Sequence, residues 1–180
     1  FDVDITNTGV EQMHRVCEFI SSREIGAVYS SDLQRTVKGA RIIGKRLGVE
    51  PVMMRSLREL NLGRWEGLTR AEAVAKYPDD AHFSFQDLAT GRIKEGESLL
   101  ELRARVLPAI EEILARHASE AVCVVAHGGV NRVILSEAMN LPLENFFRIE
   151  QDYGCLNIID YLEDGMKVVK LLNGGPHQDM

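Results

Sequence analysis

Ala121-Val122-Cys123-Val124-Val125-Ala126-His127-Gly128-Gly129 decides the fold. The first six residues are apolar on both faces and rich in β-branched side chains, the pattern of a strand covered from both sides in a parallel sheet. Two glycines then open a segment whose apolar residues take helical spacing, predicting a helix over 130–140. The same passage occurs earlier, where 25–30 reads as a strand running straight into a helix over 33–47, with Gly48 as its C-cap. Strands alternating with helices build an α/β fold, here expected as a three-layer sandwich with a mainly parallel central sheet. Ligands of such sheets bind at the carboxyl ends of the strands.

Working outward, Thr8-x-x-Glu11, Ser31-x-x-Gln34, Thr69-x-x-Glu72 and Ser98-x-x-Glu101 fit the capping-box pattern. They predict further helices over 9–21, 70–77 and 99–117, with Pro108 kinking the last or shifting its start. Residues 51–54 read as a short strand, and 157–161 and 167–171 as a late pair turning at Glu163-Asp164-Gly165. The least regular segment, 78–97, fits either a lid over the site or a surface loop with a short helix.

A chain of 180 residues buries about 70% of its unfolded surface, enough for one domain, 1–180. With 21 Lys and Arg against 27 Asp and Glu, the net charge of -6 argues against nucleic acid as a partner. An anionic small-molecule substrate then needs a local basic pocket. No apolar run is long enough to span a membrane. Cys17, Cys123 and Cys155 are odd in number and far apart, which fits a reducing cytoplasm better than a disulfide framework. His14, His82, His117, His127 and His177 show no metal-binding spacing, and no Gly-x-Ser-x-Gly elbow occurs. Gly39–Arg46 nearly matches a phosphate-binding loop, but Arg46 stands where Ser or Thr must bind magnesium, and the stretch lies inside a predicted helix.

Three stretches carry candidate chemistry. Arg35 stands in the first turn of a helix, where a cation is unfavourable unless an anion compensates it. Read alone, it also fits a solvated helix arginine. His127 ends a strand before two glycines and a helix N-terminus, a place suited to binding or protonating a phosphate. It also fits a histidine that only caps a turn. In Arg58–Gly67, Glu59 or Glu66 can serve as a general acid if burial raises its pKa, and the stretch also fits a charged loop before a capped helix.

In their order, these stretches resemble the histidine phosphatase superfamily, which includes the cofactor-dependent phosphoglycerate mutases. Residues 4–12 are similar to the family's segment after its first motif, 29–36 to its Ser-x-Leu-x-Arg motif, and 58–67 to its Glu-x-x-x-Gly motif. Residues 125–129 are similar to its second-histidine motif, and Gly96-Glu97-Ser98-Leu99 to a further phosphatase segment. The resemblance implies a phosphoglycerate mutase-like fold and roles residue by residue. Arg35 clamps phosphate, Glu59 protonates the leaving alcohol, His127 contacts the transferred phosphoryl group, and Gly128 lets the backbone approach it. Glu66 aligns without an assigned role. It further implies a phosphomonoester hydrolase working through a phosphohistidine, with no metal and no cofactor, on a phosphorylated small molecule. A homodimer is a family-level expectation.

The family's nucleophile belongs to an Arg-His-Gly motif that occurs nowhere in this chain. Phe1 is not expected to be a natural start, and the first strand and nucleophile loop are expected upstream of it. The compact spacing resembles the small phosphatase branch, with α-ribazole 5′-phosphate as one candidate substrate. The alternatives are a phosphoglycerate mutase and a non-catalytic relative that binds phosphorylated ligands or a partner.

Overall fold

Period-two alternation along one strand organises the molecule. In β1 (Ile25–Ser30), Ala27 and Tyr29 face one side and Val28 the other. The structure, a computed structural model, describes residues 1–175. His177 lies outside them. β1 pairs in parallel with β2 (Val52–Met53) and β3 (Ala121–Val125), giving the order β2-β1-β3. Tyr29 stands opposite Val52 on one side and Val124 on the other.

Val28 packs with Cys123 and Val125 against α1 (Asn7–Ile20) and α2 (Gln34–Leu47), through Val16, Cys17, Ile20, Ala40 and Ile43. Tyr29, Val122 and Val124 face α4 (Leu99–Arg116) and α5 (Gly128–Ala138), where Leu102, Val106, Val130 and Val133 are essentially buried. This is the expected sandwich: helices, parallel sheet, helices. An antiparallel hairpin, β4 (Leu156–Tyr161) and β5 (Lys167–Gly174), follows as a second sheet. Its turn places Gly165 at φ 85°.

The Thr69 and Ser98 capping boxes form as expected, Thr69 starting α3 (Arg70–Lys76). The other two do not. Thr6, not Thr8, caps α1 by accepting the Gly9 N–H, so that helix begins two residues early. Leu33 occupies the N-cap position of α2 without a side-chain bond, because Ser31 is turned into the interior and Asp2 accepts the Gln34 N–H instead. α4 runs through Pro108, whose position on the exposed face leaves the released carbonyl one turn back to water. β3 is half-buried where both faces were expected to be covered, because β1 alone pairs with it among the described residues.

Segment 78–97 is a loop with short helical turns, the second of the two expected forms. It folds as two short 3₁₀ turns, Pro78–Asp80 and Phe85–Ala89, and buries Leu88 and Ile93. Ile93 packs with Trp65 and Ala73 in a small separate core. Asp80 ties this unit together by accepting from Arg64 Nε and Trp65 Nε1, both at 2.8 Å.

Candidate active site

The carboxyl ends of β1 and β3 bring the predicted residues together. α5 starts directly after β3, so its first N–H groups point out of the sheet edge with the positive end of the helix dipole. Glu59 reaches them from the extended segment after the turn Arg55–Leu57. The Gly129 N–H donates to both its oxygens, at 3.1 and 3.2 Å, and its own neighbour Leu60 donates to Oε1 at 2.8 Å. Any side chain at 129 must displace the Glu59 carboxylate. A Cβ there would lie 2.3 Å from Glu59 Oε1.

Arg35 and Glu59 line one cavity of about 610 Å³, whose wall also includes Arg55, Arg58, Glu97 and Arg105. That size suits a small organic ligand larger than phosphate alone. Arg35 Nη1 donates to the Phe1 carbonyl at 3.1 Å, and Arg58 grips Asp32 through Nε and Nη2 at 2.6 and 2.8 Å. The Arg58 guanidinium holds the Asp32 carboxyl below its usual range.

His127 occupies the N-cap of α5 and is buried. Its Nε2 shares a 2.7 Å hydrogen bond with Ser31 Oγ, and Ser31 shares another with Thr36 Oγ1 at 2.6 Å. Burial, followed by the charge of Arg35, pushes the imidazole down to about 3, so the ring is neutral at physiological pH. Gly128 opens α5 beside Glu59, and the position its Cβ would take is 3.1 Å from Arg132 Nη1. Glu66 accepts the Leu62 N–H at 2.8 Å, which closes its loop.

Sequence reasoning passed over Ser31 as a partner of His127, and Arg132, whose Nε donates to the Ile149 carbonyl at 2.7 Å. It also missed Arg105, which reaches the Glu59 loop from α4. The spacing Ser31-x-x-x-Arg35 and the helix position of Arg105 carry no signal of these contacts, which join residues 46 apart in Arg105–Glu59 and 96 apart in Ser31–His127. Among the described residues, no three His, Cys, Asp or Glu side chains are grouped to hold a metal ion. No helix among them is long and apolar enough to cross a membrane. All three cysteines are free, and burial pushes the Cys123 thiol up to about 12.

The family model described as histidine phosphatase superfamily, branch 1, matches residues 1–174. The chain belongs to the histidine phosphatase superfamily. It is 30% identical over 152 residues to glucosyl-3-phosphoglycerate phosphatase of Mycolicibacterium vanbaalenii, covering 81% of this chain and 67% of that protein. It is 27% identical over 172 residues to phosphoserine phosphatase 1 of Hydrogenobacter thermophilus, covering 96% and 81%. The crystal structure of the α-ribazole phosphatase from Shigella flexneri superposes with a TM-score of 0.87 at 20% identity, over 97% of this chain and 86% of that one. That last likeness is one of fold. The superfamily's phosphatases are thus similar to this chain in sequence and in architecture, and the parallel sheet and its flanking helices are theirs.

Proposed function

We propose that the full-length protein is a phosphomonoester hydrolase that works in two steps through a phosphohistidine. The observation that carries this reading is the Glu59 carboxylate held on the N-terminus of α5, in a cavity shared with Arg35 and next to buried His127. A carboxyl group, a guanidinium and a helix N-terminus meet the needs of phosphoryl transfer: a proton donor, an anion clamp and fixed positive charge.

In the first step a histidine nitrogen bonds to phosphorus as the ester P–O bond breaks, and Glu59 gives its proton to the departing alkoxide. In the second, water attacks phosphorus, Glu59 takes its proton, the P–N bond breaks, and phosphate leaves. Arg35 grips the non-bridging oxygens. His127, neutral and held by Ser31, hydrogen-bonds to the same group in the transition state. The nucleophilic histidine belongs to a segment preceding Phe1, carrying a strand that adds to β3, whose apolar residues are half-exposed. Arginines, the helix terminus and hydrogen bonds supply the positive charge without a metal ion.

The test is phosphate release by full-length protein with EDTA present, from α-ribazole 5′-phosphate, glucosyl-3-phosphoglycerate, O-phosphoserine and glycerol phosphate. The reading expects hydrolysis of at least one, lowered about 10²–10⁴-fold by Glu59→Gln. Absence of hydrolysis with every ester, or full activity in Glu59→Gln, would overturn it.

A further inference from the structure

We propose that Arg105, together with Glu97, is the positioning residue that sets the Glu59 carboxylate against α5. The proposal rests on the role of Glu59 given above. Glu59 lies on an extended segment with no strand beside it, between the turns Arg55–Leu57 and Gly63–Trp65, so no sheet ladder fixes its backbone. Arg105 supplies that support. Its Nη1 donates to the carbonyls of Ser56 and Arg58, at 2.8 and 2.7 Å, and Nη2 to the carbonyl of Glu59 at 3.0 Å.

The other two donors go to Glu97: Nη2 to Oε1 at 2.6 Å and Nε to Oε2 at 3.0 Å. All five N–H donors of the guanidinium are therefore used. Arg105 has none left for substrate, which separates it from Arg35 in the same cavity. Glu97 Oε1 also accepts the Asn61 N–H at 2.9 Å, and the Glu97 N–H donates to the Asn61 carbonyl at 2.9 Å. The clamp thus grips both ends of the 56–61 segment. Its base stands on a packed stretch of α4, where Leu102 and Val106 are fully buried.

A lysine cannot reproduce this. An ammonium has three donors and no planar fork. Losing the fork leaves three carbonyls facing a partly buried carboxylate, and Glu59 loses its fixed distance to the Gly129 N–H. The consequence is specific to proton donation. An alkyl phosphate needs its leaving oxygen protonated, whereas p-nitrophenyl phosphate, with a good leaving group, needs this far less.

The experiment compares kcat/KM for glycerol phosphate and p-nitrophenyl phosphate in full-length wild type, Arg105→Met, Arg105→Lys, Glu97→Gln and Glu59→Gln. Arg105→Met is expected to lose about 10- to 100-fold on the alkyl ester and much less on the aryl ester. Arg105→Lys should recover part of the loss, and Glu97→Gln should shift the ratio the same way by less. In the double variant, Arg105→Met should add little to Glu59→Gln on the alkyl ester. Should Arg105→Met fail to fold, the lysine and Glu97→Gln variants carry the same comparison. Equal losses on both esters, or multiplicative effects in the double variant, would overturn the positioning role and leave the phosphatase reading standing. A wild type that hydrolyses neither ester would overturn both.

Discussion

Replacing Gly129 by alanine tests the contact at the centre of the site. The new Cβ would stand 2.3 Å from Glu59 Oε1 and 3.3 Å from its Cδ, against a limit near 3.0 Å for real Cβ contacts. The carboxylate must therefore retreat by at least about 0.7 Å from the position in which it accepts the Gly129 N–H. A displacement approaching 1 Å at a catalytic group costs about 10²-fold in rate. Folding is affected little: Glu59 is only half-buried and can find water, and alanine is better than glycine in a helix by about 0.5–1 kcal/mol. The assay is kcat/KM for glycerol phosphate beside a thermal melt. A drop of about 10- to 100-fold with Tm shifted by no more than about 4 °C is expected. Wild-type activity in Gly129→Ala would refute the claim that the Glu59–α5 contact sets the proton donor.

Further expectations follow from other contacts. Ser31→Ala removes the partner of His127 Nε2 in a buried setting, so kcat should fall about tenfold with KM little changed, as steady-state kinetics will show. Arg64 holds the Asp80 carboxyl below its usual range, so this group stabilises the fold above about pH 4 and loses that contribution as the pH falls through its folded value. Asp80→Asn should lower Tm at neutral pH and flatten the acid side of the stability curve, read from melts across pH. His127 titrates in the opposite setting. It is buried neutral, so the unfolded chain takes up a proton that the native one refuses, and stability falls as the pH drops from about 6.5 toward 3. His127→Asn should remove that part of the slope.

Much of the architecture was legible because strand alternation and cap chemistry are local. Ser98 and Thr69 each had a Glu three residues on and no competing partner, and their boxes form. Ser31 had the same local pattern, but His127 and Thr36 engage its hydroxyl, so a tertiary contact overrides the cap. β3 was read as fully covered from its composition, although coverage depends on which strands flank it. The site was legible mainly through resemblance. Glu59 sits where no periodicity marks it, and Arg105 reads as one more arginine on a helix face until the fold sets it beside carbonyls 46 to 49 residues away. Gly129 was quoted as a helix opener, and only the structure shows that its missing side chain is the space Glu59 occupies.

The central claim is that Glu59 acts in both steps, giving a proton in the first and taking one in the second. The most direct measurement is the intact mass of full-length Glu59→Gln after brief exposure to p-nitrophenyl phosphate. The aryl leaving group lets the first step proceed without the acid, while the missing base slows the second. The account predicts that the variant gains one phosphoryl group, acid-labile and localised to a histidine, and holds it far longer than wild type. A variant that releases phosphate at the wild-type rate, or one that never gains a phosphoryl group, would contradict it.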